Sequence, residues 1–261
     1  GADVWYKVTV PATGNFIVQT SAINTTVSNL LMEAYTGVCG SLSLLSCDDD
    51  GNPETFPSAN HARIGITGRT PGEVLYFRVM PINAGNAGDF VICAWDTTSA
   101  VLPDISPSGS CTPFSSVDIS TVSSNRYLWV PLFDNSGRII AEVYSDGNSL
   151  GNQSIALNVH TGQVRSHAGK YFLDRNISFY GNPGGVVRIR IYYKSSEAAA
   201  LQGADSSANA LNLLLQRSPD SCSNDFGSNP VIISSAYGSY GSNHYLQFST
   251  SSFSTYYLEG Q

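Results

Sequence analysis

Apolar and polar residues alternate with a period of two along most of this chain, in short runs broken by turn residues. The first runs are VWYKVTV (4–10), NFIVQTS (15–21), NLLMEAYTG (29–37), ARIGITG (62–68), VLYFRVMPI (74–82) and GDFVICAWD (88–96). Successive side chains of a strand point to opposite faces, so this alternation predicts half-buried β-strands. β-Branched and aromatic residues dominate them, and Gly, Pro or Asn intervenes about every ten residues, the spacing of a β-sandwich or barrel.

The pattern lapses over TTSAVLPDISPSGSCTP (97–113), which is rich in Pro, Ser and Thr and reads as a linker. It then resumes in RYLWVPLFD (126–134), IIAEVYSDG (139–147), SIALNVHTG (154–162), YFLDRNISF (171–179), VVRIRIYYK (186–194), VIISSAYGS (231–239), HYLQFSTSS (244–252) and STYYLEG (254–260). DNSG (134–137) has the chemistry of a hairpin turn. One helix is expected, SSEAAALQG (195–203), with a Ser cap, Glu197 in its first turn and Gly203 as a left-handed stop. ANALNLLLQR (208–217) fits either a helical turn or a strand. The expected architecture is all-β: two tandem sandwiches of jelly-roll type, residues 1–97 and 111–261, joined by a linker at 98–110, the second carrying one short helix.

Composition narrows the class. With 261 residues and 42% hydrophobic content the chain can build two cores and is not a disordered segment. Charged residues make up only 13%, so Ser, Thr, Asn and Gly supply the polar surface. A net charge of −7 argues against a nucleic-acid partner, which needs clustered Lys and Arg; only Arg188 and Arg190 share a strand. No apolar run approaches the ~20 residues of a membrane span. The opening GADVWYK has neither Met nor a signal-peptide pattern and reads as mature or trimmed.

Five cysteines are spaced without a C-x-x-C pair, which disfavours zinc ribbons and thioredoxin-type chemistry. A Cys39–Cys47 bridge would tie a short loop and a Cys111–Cys222 bridge a long one, leaving Cys93 as a buried thiol. Bridges of this kind point to an oxidising, extracellular compartment.

Directly after Cys47 stand Asp48, Asp49 and Asp50. Adjacent carboxylates repel unless a cation or water screens them. Calcium suits such a cluster, but EF-hand spacing fails because Pro53 falls where Gly is required. A site would therefore be tertiary, drawing on Glu33, Asn52 or Asp89; the competing reading is an exposed acidic turn. GNSLG (147–151) matches the G-x-S-x-G nucleophile motif around Ser149, yet it sits between strand patterns, where it reads as a hairpin loop. His61, His160, His167 and His244 show no metal-ligand spacing. Glu33, Glu54, Glu73, Glu142 and Asp174 offer no local acid–base pair. Trp5, Trp95 and Trp129 lie in alternating strands and are expected in the core. Tyr237 and Tyr240, in an apparent Gly/Ser loop, are candidates for ligand binding.

The segments DVWYKVTVPATGNFIVQTS (3–21), LMEAYTGVCGSLSLLSCDDDG (31–51) and GEVLYFRVMPINAGNAGDFVICAWD (72–96) resemble the bacterial pre-peptidase C-terminal family. That resemblance implies a CUB-like sandwich, a non-catalytic module appended to secreted hydrolases and adhesins, and calcium at Asp48, Asp49 and Asp50. Residues 171–179, 186–205 and 248–260 are similar to a module of secreted Bacteroidetes proteins, in which a type IX sorting domain commonly follows. Together these readings lead to an expected role outside the cell or on the bacterial surface, within a larger parent chain. The expected activity is adhesion to a polysaccharide or cell-surface partner; a structural spacer and a hydrolase with an unrecognised site are the alternatives.

Overall fold

The computed structural model describes residues 3–22, 29–54, 59–83, 88–96, 111, 113–118, 129–134, 138–219, 221–222, 226, 230–240 and 243–261. The linker expected at 98–110 and residues 135–137 of the expected turn lie outside them. The chain divides into two compact units, Gly1–Val101 and Leu102–Gln261, and both are built from antiparallel sheets. No helix among the described residues is long and apolar enough to cross a membrane.

Unit 1 runs through β1 (Val4–Thr9), β2 (Phe16–Ala22), β3 (Leu30–Val38), β4 (Ser41–Asp48), β5 (Asn52–Glu54), β6 (Ala59–His61), β7 (Arg63–Ile66), β8 (Val74–Pro81) and β9 (Phe90–Asp96). One sheet has the order β1-β8-β3-β4, a second β7-β2-β9, and β5 pairs with β6. Alternate residues explain the sandwich. Met32, Ala34, Leu75, Phe77 and Val79 from the first sheet meet Phe16, Val18, Ile64 and Ile66 from the second in one core. Phe16 and Phe77 pack edge to face across it, centroids 6.1 Å apart.

The strand β4 replaces the disulfide loop expected between Cys39 and Cys47, and both thiols are free and exposed. Cys39 sits in the β3–β4 turn beside Gly40, whose φ of 91° favours glycine. Cys47 lies across from Glu33 far down the ladder, about 20 Å from the turn at the usual rise per residue. A bridge needs Cα atoms within about 7 Å. The ladder also carries a bulge: Leu44 pairs with Tyr35 and Ser46 with Ala34, which leaves Leu45 without an opposite residue.

His61 is fully buried, and among the described residues neither ring nitrogen has a hydrogen-bond partner. Burial lowers its pKa from 6.5 to about 4. The unfolded chain therefore takes up a proton near pH 6.5 that the folded unit refuses until about pH 4. Stability is full above pH 6.5 and falls as pH drops toward 4, by roughly 3 kcal/mol. Urea unfolding across that range will show the loss, and His61→Leu will flatten it while raising stability at neutral pH by about 1 kcal/mol. Equal slopes for both proteins would refute the assignment.

Unit 2 contains β10 (Pro113–Asp118), β11 (Trp129–Phe133), β12 (Ile139–Tyr144), β13 (Asn152–Val159), β14 (Arg165–His167), β15 (Lys170–Tyr180) and β16 (Val187–Tyr193). After the helix α1 (Ser195–Ala204) come β17 (Leu214–Ser218), β18 (Val231–Ile233), β19 (Ala236–Tyr240), β20 (Asn243–Thr250) and β21 (Thr255–Glu259). The larger sheet has the order β10-β13-β15-β21-β17-β18, with β14 added beside β15; the smaller has the order β11-β12-β16-β20-β19. Ile155, Leu157, Ile177, Leu215 and Leu258 of one sheet close on Val143, Ile189, Ile191, Leu246 and Phe248 of the other.

The helix stands where the sequence predicts it, although its caps differ. Lys194 is the N-cap, and its N–H donates 2.7 Å to the Glu197 carboxylate reaching back from the first turn. Gly203 lies inside the last turn, and Asp205 ends the helix. Ala198 and Leu201 face the core. Glu197 also accepts from buried Arg175 of β15 at 2.8 and 2.5 Å, fixing the helix to the larger sheet. Of the ambiguous segment 208–217, residues 208–213 form a turn and the rest enters the strand β17, whose Leu215 the core needs.

On the face of the smaller sheet away from the core, charge and aromatic rings interleave. Arg190, 2% exposed, has its guanidinium 3.8 Å from the Trp129 ring centroid and 4.9 Å from that of Tyr245. Its Nε donates to Gln247 at 2.9 Å and its Nη1 to Glu142 at 3.4 Å. Tyr192 donates its hydroxyl to the same Glu142 oxygen at 2.6 Å. Arg188 lies 4.0 Å from the Tyr144 ring centroid and 3.7 Å from Asp146. Trp129 is thus buried, as expected of it, but in a polar layer.

A disulfide joins Cys111 to Cys222, their Cα atoms 5.6 Å apart. It crosses the outer face of the larger sheet, where Asn158 of β13 and Asn176 of β15 donate to its sulfurs at 3.6 and 3.8 Å. Cys93 is a free, half-buried thiol, and burial raises its pKa.

Candidate functional site

The outer face of the β1-β8-β3-β4 sheet is the strongest site on unit 1. Strand parity places Trp5, Arg78, Glu33 and Cys47 side by side in one cross-strand row. Lys7, Tyr76, Tyr35 and Leu44 form the next. Trp5 is 46% exposed and Leu44 57%. The core position expected for Trp5 is therefore corrected. It alternates with core-facing Tyr6 and Val8 and shares its face with Lys7.

Ionic contacts hold this face in shape. Arg78 donates from Nε to Asp3 at 2.7 Å and from Nη1 to Glu33 at 3.4 Å. Glu33 also accepts the Tyr35 hydroxyl at 2.7 Å. The hydrogen bond from Arg78 keeps the Asp3 carboxyl below its ordinary pKa, while the bond to Glu33 raises that of the Tyr35 phenol. The Arg78 guanidinium lies 5.8 Å from the Trp5 ring centroid, and Trp5 and Tyr35 sit 5.5 Å apart with a 36° tilt. The result is a water-facing aromatic plate edged by fixed donors and acceptors.

The residues proposed for calcium do not gather. Asp48 pairs with buried Met32, whereas Glu33 pairs with exposed Cys47. The two carboxylates therefore leave opposite faces of the sheet. Asp48 Oδ2 accepts the N–H groups of Gly51 at 2.7 Å and Arg63 at 2.8 Å, tying the end of β4 to β7. Burial raises its pKa, and these N–H bonds pull it back. Gly51 is required there, because a Cβ would stand 2.5 Å from that carboxylate. Asp49 is half-buried and Asp50 exposed in the following bend, and Asp89 is exposed ahead of β9 in the other sheet. The side chains of Asn52 and Glu54 lie outside the described residues. Among the described residues no three His, Cys, Asp or Glu groups converge on a point.

Other candidates disperse as well. Ser149 occupies the exposed connection between β12 and β13, with a strand on either side. Glu33, Glu73 and Glu142 each face an arginine, namely Arg78, Arg69 and Arg190. Tyr237 and Tyr240 belong to the edge strand β19 rather than a loop. Three positions apart, they have opposite strand parity. Tyr237 donates to or accepts from His244 Nδ1 at 2.9 Å; the Tyr240 side chain lies outside the described residues. The glycine between them is structural: a Cβ on Gly238 would overlap the Tyr245 ring that lies across it.

Comparison with protein-family models and with curated proteins found no match for this chain.

Proposed function

We propose that this chain is a non-catalytic recognition module of a secreted or surface-attached bacterial protein, and that unit 1 binds a polysaccharide through the Trp5–Tyr35 plate. The observation that carries the reading is an ion-braced pair of aromatic rings on an open sheet face, Trp5 exposed and Tyr35 half-buried. A sugar ring presents a C–H face that stacks on such a plate, and its rim hydroxyls can reach Arg78, Glu33 and Lys7. Aromatic bodies give large contact area at small entropic cost. Because Arg78 already fixes the rings, little ordering remains to oppose binding. The Cys111–Cys222 bridge fits the oxidising compartment that a secreted module occupies. The sequence resemblance to appended modules of secreted hydrolases points the same way.

Affinity electrophoresis or pull-down against a panel of neutral and acidic polysaccharides tests this. At least one glycan will retain the protein, and Trp5→Ala will weaken retention about tenfold. Stability will change by no more than about 1 kcal/mol, since the side chain is half exposed. A panel that retains nothing, or a Trp5→Ala/Tyr35→Ala protein that binds like the parent, would leave the chain as a spacer.

A further inference from the structure

Unit 2 contains a cavity of about 540 Å³ whose walls include His160, Gln163, Arg165, Ser166, His167 and Phe226. Its volume lies in the range of small-ligand sites. Arg165 is 4% exposed. Its Nε and Nη2 donate to the Leu173 carbonyl at 3.2 and 2.9 Å, and its Nη1 donates to Asn176 Oδ1 at 3.0 Å. These acceptors are neutral, and further guanidinium N–H donors have no acceptor among the described residues. The Phe226 and Tyr257 ring centroids stand 5.0 and 5.8 Å from its Cζ.

The other buried arginines of unit 2 are differently placed. Arg175 faces Glu197, Arg188 faces Asp146 and Arg190 faces Glu142. Asp174 accepts the Arg165 backbone N–H at 3.2 Å, and its charge attracts the guanidinium without closing to an ion pair among the described residues. A buried cation with no carboxylate in direct contact among the described residues is costly, and a cavity beside it gives a ligand room to supply one. Burial lowers the Arg165 pKa to about 10, so the charge persists at neutral pH.

We infer that this cavity binds a carboxylate ligand the size of one sugar acid, with Arg165 as its counter-ion and the Phe226 ring as one wall. A planar carboxylate matches the guanidinium fork. With Asp174 close by, a single fixed cation suits a monoanion better than a dianionic phosphate. Gln163 and Ser166 can meet the ring hydroxyls. This site is in the other unit and does not rest on the polysaccharide reading.

The test is calorimetric titration of the whole chain with glucuronate, acetate, glucose and inorganic phosphate, backed by amide NMR shifts. Glucuronate will bind at least about tenfold more tightly than glucose, and Arg165→Gln will remove that difference. Because Arg165 is buried and its variant can unfold, Gln163→Trp supplies a second arm: it fills the cavity, leaves the arginine network in place and abolishes binding. Acetate binding as tightly as glucuronate keeps the site and assigns it to small free carboxylates; weaker acetate assigns it to a sugar acid. Phosphate matching glucuronate, glucose matching it, or a Gln163→Trp protein that binds normally would overturn the inference. Trp5→Ala will leave this titration unchanged, so its failure and that of the platform are separable.

Discussion

Replacing Cys111 and Cys222 together by alanine will lower the unfolding free energy of unit 2 by about 4 kcal/mol. The bridge spans a sequence separation of 111 residues, and cross-linking so long a loop removes much of the freedom of the unfolded chain. A loop of that size corresponds to about 4–5 kcal/mol by chain entropy, toward the upper end of measured disulfide effects. Asn158 and Asn176 add to the loss, since both donate to the sulfurs across the outer face of the larger sheet. Urea unfolding read by Trp129, with Trp5 and Trp95 changed to Phe in both proteins, measures the difference. A loss below about 1 kcal/mol would mean that the bridge closes a loop already closed by sheet pairing.

Truncating Glu142 to alanine will cost unit 2 about 3–5 kcal/mol. Glu142 is fully buried between the Arg190 guanidinium and the Tyr192 hydroxyl. Removing it takes from Arg190 the carboxylate that faces its guanidinium, and breaking a buried ion pair from one side is expensive. The double change Glu142→Leu/Arg190→Met removes both ions and keeps their volume, so it will recover most of that loss. The four corners of this double-mutant cycle, measured by urea unfolding, give the coupling directly. A Glu142→Ala protein within about 1 kcal/mol of the parent would show that the other contacts of Arg190, aromatic rings included, satisfy it.

The all-β fold was readable because period-two alternation survives in nearly every strand, and the places where reading failed have local causes. The β4 segment reads as a loop because Cys39 and Cys47 flank it at the spacing of a bridge, and the bulge where Leu44 and Leu45 adjoin breaks its alternation. The apolar neighbours of Trp5 point to the core, although Lys7 and Thr9, which share its parity, carry the opposite signal. Glu33, Arg78 and Tyr35 become a group only through the cross-strand register, which no single segment encodes. The acidic run was visible, yet which side of β4 each carboxylate leaves depends on pairing with β3. Arg165 had no sequence signal at all. Nothing in TGQVRSHAGK marks its arginine for burial, which depends on the distant Phe226 and Tyr257.

The unpaired Leu45 also makes β4 one residue longer than its partner requires. A chain shortened by that single position could join Leu44 straight to Ser46 with every flanking partner, Tyr35 and Ala34 included, still opposite its present neighbour. Such a deletion would give up the packing of Leu45 against the core while keeping the register of both the aromatic plate and the Asp48 clasp.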